Sequence, residues 1–186
     1  PTMGGILIIG SVVLSGLIWG DLSNKYLLLG LACLVGFAII GFIDDYKKIF
    51  SLDSTGLSST TKIFYQAMVA LVVSVILFAS STSPQELEYI VPFFKNISIE
   101  LGVGFVFLSV FILVGSSNAV NLTDGLDGLA ILPVIIITAA LGIIAWAAGN
   151  VIAAEYLYIP YLATTGELLV LCLLYTSPSP RDSFRS

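Results

Sequence analysis

The sequence predicts an all-α protein, a polytopic transmembrane helical bundle of five spans plus the start of a sixth. Three observations predict it. The 186 residues are 58% hydrophobic and 10% charged, with a mean hydropathy of +1.05, whereas a soluble domain carries about 25% charged residues. Too few polar groups remain to coat a water-exposed surface, so lipid must cover it. The apolar residues also form continuous runs rather than the period-2 alternation of a barrel strand. Finally, small residues recur inside the runs (Gly30, Gly36 and Gly41 in the second), which suits close helix packing in lipid.

The runs cover residues 4–19, 26–43, 63–79, 101–115 and 129–151. With their mildly polar flanks most approach the ~20 residues that cross a ~30 Å hydrocarbon core. Between the third and fourth, residues 85–99 alternate apolar and polar side chains around Pro92, which predicts a short hairpin or an interfacial element. A sixth run, 168–175, is too short to span. The Ser/Pro/Arg-rich stretch after it holds both arginines, Arg181 and Arg185. Residues 1–171 therefore read as a partial transmembrane domain and 172–186 as a sequence break or non-native tail, a genuine disordered tail being the alternative. The chain opens on Pro1-Thr2-Met3 without a signal peptide, as expected of an N-terminus cut from a longer protein.

Lysines set the orientation. Lys47 and Lys48 follow the second run and Lys62 opens the third, so the positive-inside rule makes that connection cytoplasmic. Counting crossings puts residues 1–5 and 116–128 inside, and 21–25, 80–100 and 150–166 outside. The outer segments agree, since Glu86, Glu88, Glu100 and Glu155 outnumber Lys95. No basic patch favours nucleic acid, and the absence of histidine excludes imidazole chemistry within these residues. Cys33 and Cys172 lie in apolar runs and read as small buried hydrophobes.

Three polar clusters thereby fall on one membrane face: residues 1–5, 44–48 and 118–128. Asp44 and Asp45 are adjacent carboxylates at the end of an apolar helix. They repel each other and face desolvation, which a divalent cation or a neighbouring lysine relieves. Mg²⁺, which takes one or two carboxylates together with substrate phosphate oxygens, suits the pair. The plainer alternative is an acidic helix end balanced by Lys47 and Lys48. Asn118, Asn121, Asp124 and Asp127 recur every third residue, so a helical or 3₁₀ course would put them on roughly one side. Their amides and carboxylates suit a uracil edge, ribose hydroxyls or a metal's hydration shell; an Asx-rich turn is the alternative. Gly4-Gly5 admits close approach of a phosphate and Thr2 can donate to it, though Thr2 serves equally as a helix cap. Lys48 can neutralise a diphosphate, whereas Lys62 reads as an interface lysine that snorkels.

The motifs Pro-Thr-Met-Gly-Gly, Asp-Asp-Tyr-Lys-Lys and Asn-Ala-Val-Asn-Leu-Thr-Asp-Gly-Leu-Asp-Gly-Leu-Ala resemble those of the bacterial phospho-N-acetylmuramoyl-pentapeptide transferases. These are a branch of the polyprenyl-phosphate N-acetylhexosamine 1-phosphate transferases, and the resemblance covers residues 1–171. It implies transfer of phospho-N-acetylmuramoyl-pentapeptide from UDP to undecaprenyl phosphate, giving lipid I and UMP with Mg²⁺ at the cytoplasmic face of the bacterial inner membrane. It makes Asp44 the base toward the acceptor phosphate, or the nucleophile of a two-step reaction. Asp45 helps position metal and phosphates, both aspartates are candidate metal ligands, and Lys48 neutralises the diphosphate. Thr2, Asn118, Asn121, Asp124 and Asp127 are assigned to the donor. The family's further metal-binding aspartate and its histidine-rich motif lie beyond these residues, so the 186 residues alone are expected to be inactive. Leu52 and Thr60 stand where many relatives carry basic residues.

Two other readings compete. A sister transferase that primes O-antigen or teichoic acid synthesis with a simpler UDP-sugar shares much of the pattern. A transporter would want its charges near the bilayer midplane rather than gathered at one face. A homodimer is left open.

Overall fold

The computed structural model describes residues 4–50, 56–90, 98–124 and 131–176. Seven helices and one two-stranded hairpin are described: α1 (Gly4–Trp19), α2 (Lys25–Phe50), α3 (Ser59–Ala79), β1 (Glu88–Ile90), β2 (Ser98–Glu100), α4 (Gly104–Asp124), α5 (Ile131–Gly149), α6 (Val151–Leu157) and α7 (Leu168–Thr176). The all-α membrane bundle is as expected. Among the described residues four helices, α2 to α5, are long and apolar enough to cross a membrane. The described part of the first run, α1, has 16 residues, about 24 Å at 1.5 Å each.

α2 is the hub and packs against α1, α3 and α7; α4 packs on α3, and α5 on α7. Gly36 lets α2 and α3 close up, since a Cβ there would lie 2.6 Å from Val69 Cγ1. The remaining faces carry exposed Ile, Leu, Phe and Val, as at Ile18, Phe107, Phe111 and Ile136. Helices apolar all round are what lipid immersion requires.

Polar groups collect at the helix ends. At one end Asn24 caps α2 by accepting from the Tyr26 N–H at 2.9 Å, while its Nδ2 donates to the Thr164 carbonyl at 2.6 Å. Beside it Lys25 Nζ donates to the Ser80 carbonyl at 2.8 Å and to Glu86 Oε2 at 2.7 Å. The start of α2 thus meets the end of α3. Of the hairpin or interfacial element expected over residues 85–99, β1 and β2 pair at this same end, with Tyr89 opposite Ile99 in antiparallel register, and Pro92 lies outside the described residues.

Helix ends differ from the apolar runs in three places. α2 continues through Lys48 to Phe50, so Asp44, Asp45 and Lys48 ride on helix rather than in a loop. α4 likewise continues through Asn118 and Asn121 to Asp124. α5 stops at Gly149, and Asn150 caps α6, a seven-residue helix inside the 150–166 connection, so only Val151 of the fifth run lies beyond the cap. The sixth run lies in α7, whose described part has nine residues.

Candidate functional site

At the opposite end from Glu86, the last two turns of α2 carry Asp44, Asp45 and Lys48. Asp44 is buried, at 6% exposure. Lys48 lies four residues on, one helical turn, and its Nζ donates to Asp44 Oδ2 at 2.7 Å. The other carboxylate oxygen, Oδ1, accepts the Leu57 N–H at 2.8 Å. Only a glycine lets the chain run this close: a Cβ on Gly56 would sit 2.5 Å from Asp44 Oδ1. Ser58 then caps α3, its Oγ accepting from the Thr61 N–H at 3.3 Å. That start turns Lys62 back toward α2, where its Nζ lies 3.8 Å from Asp44 Oδ2.

Lys62 therefore turns to Asp44, an ion pair that its reading as a snorkelling interface lysine did not include. It shares one carboxylate oxygen with Lys48, and the two cations converge from different helices. Nothing local foretells this, because 18 residues of chain separate Lys62 from Asp44. Asp45 differs from its neighbour. Its carboxylate is 43% exposed and lies 3.7 Å from Lys48 Nζ, its ion-pair partner among the described residues. Lys48 thus pairs chiefly with Asp44 rather than Asp45.

One turn beyond Lys62 on the same face of α3 is Gln66, 3% exposed. Its Oε1 accepts from Asn118 Nδ2 of α4 at 2.7 Å, and its Nε2 donates to Ser117 Oγ at 3.4 Å. Asn118 Nδ2 also donates to the Val114 carbonyl at 2.8 Å. A lone glutamine in an apolar run was the available signal, since a polar side chain at membrane depth needs a partner. Asn118 and Asn121 follow the helical course expected of them, and Asn121 is exposed toward the end of α4. Asp124 closes that helix. Thr2 and Asp127 lie outside the described residues.

The glycosyl transferase family 4 model matches residues 27–175, a stretch that contains every group just described. The chain belongs to glycosyl transferase family 4. Family membership makes it a multi-pass glycosyl-1-phosphate transferase that moves a phospho-sugar onto polyprenyl phosphate. The acceptor of this family is a lipid carrying a phosphate, and a polar site at the ends of apolar helices suits both parts of it.

Among the described residues no three acidic, histidine or cysteine side chains gather as a metal cage. Exposed Asp45 could give a divalent cation one carboxylate ligand, with substrate phosphates and water completing the set, and Asp44 could join it once Lys48 and Lys62 turn to those phosphates. Asp44 and Asp45 are the side chains that would hold it.

Between α3 and α4 runs an open apolar groove of about 490 Å³, lined among others by Phe64, Met68, Leu71, Phe107 and Phe111. Its wall includes Ala67, next to Gln66, and Val114, whose carbonyl accepts from Asn118, so the groove reaches the level of the polar bridge.

Proposed function

We infer that this protein transfers phospho-N-acetylmuramoyl-pentapeptide from UDP to undecaprenyl phosphate, forming lipid I and UMP at the cytoplasmic face of the bacterial plasma membrane. The observation that carries the chemistry is the convergence of Lys48 and Lys62 on buried Asp44. Two fixed cations at a membrane face are what a transfer between phosphates requires, because the transition state spreads negative charge over phosphoryl oxygens. The donor identity is supported by the motif resemblance at residues 1–5, 44–48 and 118–130.

In this reading an oxygen of the acceptor phosphate attacks the sugar-bearing phosphorus. The bond from that phosphorus to the bridging oxygen breaks, and UMP leaves with the electron pair. Lys48 and Lys62 hold the phosphates, and Asp44 accepts the acceptor's proton when it arrives protonated. Asp44 Oδ1 accepts from the Leu57 N–H and Oδ2 from Lys48, so the carboxylate is freed for this role when Lys48 turns to the phosphates. Mg²⁺ held by Asp44 and Asp45 would neutralise diphosphate charge. Asn121, Asp124, Asp127 and Thr2 contact the nucleotide half of the donor, and Asn118 supports them. The α3–α4 groove suits the first isoprene units of the acceptor, since it is apolar and ends beside the polar bridge.

The test is to assay the full-length protein in vesicles with UDP-MurNAc-pentapeptide and with UDP-GlcNAc. Lipid I formation from the first alone is expected; use of UDP-GlcNAc instead would assign the protein to a sister transferase. Asp44→Asn should lower turnover by ~10²-fold or more, the scale of removing one preorganised charge-stabilising group. Unchanged lipid I synthesis in that variant would end the assignment of Asp44.

A further inference from the structure

Gln66 is a buried polar group that the transfer reaction itself does not use. It sits in the α3–α4 interface, which is otherwise lined by Phe, Met, Leu and Val side chains. Both ends of its amide are engaged by α4, through Asn118 and Ser117. A weakly directional apolar interface leaves two helices free to slide and rotate. A two-point amide bridge fixes both height and rotation, because it fails when either helix shifts by an ångström or two.

What the bridge aligns is specific. Lys62, which faces Asp44, lies four residues before Gln66 on α3. Asn121 lies three residues after Asn118 on α4. The groove pairs residues 64–71 of α3 with 107–115 of α4. Together with the 66-to-118 contact, this means that the helices run antiparallel. At 1.5 Å per residue, Asn121 is therefore brought about 4.5 Å beyond the bridge toward the site end, close to the level of Lys62.

We propose that Gln66 is a positioning residue for donor binding: through Asn118 it sets the Asn121 face of α4 against the Asp44–Lys48–Lys62 cluster. The inference rests on the reading that Asn121 contacts the donor. Gln66 touches neither substrate and acts only through α4. Removing it leaves Asn118 Nδ2 still bonded to the Val114 carbonyl, so the register is loosened while the fold persists.

The test is steady-state kinetics of the full-length protein in liposomes, varying the nucleotide-sugar donor and the polyprenyl phosphate separately. Gln66→Leu is expected to raise the donor KM by ~3- to 20-fold, the range spanned by membrane side-chain hydrogen bonds, with the acceptor KM and the thermal midpoint little changed. Gln66→Asn and Asn118→Gln should each raise the donor KM. Their combination, which preserves the summed length of the bridge, should bring it back toward the parent value. An unchanged donor KM in Gln66→Leu, an equal loss on both substrates with a lowered midpoint, or a double variant no better than the singles would each overturn the proposal. Asn121→Ala separates the two levels. If it raises the donor KM while Gln66→Leu does not, only the positioning role falls; if it leaves the donor KM unchanged, donor contact by Asn121 falls and the positioning role falls with it.

Discussion

Asp44 and Asp45 are neighbours in sequence and unlike in surroundings. Position on α2 decides this: Asp44 faces α3 and the Gly56-Leu57 backbone, and Asp45 is turned partly toward water. The adjacency was legible, but the division between a buried and an open carboxylate was not, since it depends on which face α3 covers. Lys62 makes the same point more sharply. An interface lysine that snorkels could be exchanged for glutamine without consequence. A lysine fixed 3.8 Å from the Asp44 carboxylate could not. Lys62→Gln is expected to lower transfer by ~10²-fold, because a charge aimed at the reacting phosphates is lost. The thermal midpoint should barely move, since a partly exposed ion pair is worth only ~0–1 kcal/mol. Activity and melting of the purified variant measure both.

Helices make the next scale. α2 and α3 bring the two lysines together only because they pack at close range, and Gly36 against Val69 sets that range. Gly36→Leu overpacks the contact and should destabilise the protein by ~1–3 kcal/mol, read as a lowered melting midpoint. At the far end of the same helix pair, Glu86 joins the start of α2 to the end of α3. Burial opposes its charge, but hydrogen bonds from Lys25, the Thr82 hydroxyl and N–H, and the Tyr26 hydroxyl outweigh it and hold its pKa down at about 2. A carboxyl depressed from an ordinary 4.5 stabilises the fold fully above that value, and the contribution is lost as pH falls through about 2. Melting of the parent protein should therefore worsen between pH 4.5 and 2, and Glu86→Gln should flatten that slope while lowering stability at pH 7. The helix ends themselves were poorly legible. Hydropathy stops at the first charged or amide residue, whereas the backbone continues while its hydrogen bonds continue; α2 runs on to Phe50 and α4 to Asp124.

For the whole molecule, Asp44, Lys62, Gln66 and Asn118 lie at one end of the bundle, and Asn24, Lys25, Glu86 and Thr164 at the other. The positive-inside rule predicts that the first end is cytoplasmic. With Cys33 and Cys172 replaced by alanine, a cysteine at exposed Ser59 should react with a membrane-impermeant maleimide only from the inside. One at exposed Gln85 should react only from the outside, and the reverse pattern would invert the topology. Composition and the continuity of the apolar runs determined that this protein is a helical membrane bundle, because so few polar groups call for lipid and unbroken runs call for helices. The spacing of Asp44, Asp45, Asn118 and Asn121 marked them as candidate site residues, because local motifs survive in a linear reading. The enlistment of Lys62, the shielding of Asp44 by Gly56 and Leu57, and the Gln66–Asn118 bridge were decided by tertiary structure alone. Each joins residues about a dozen or more apart, through a helix register that side-chain packing sets and periodicity cannot.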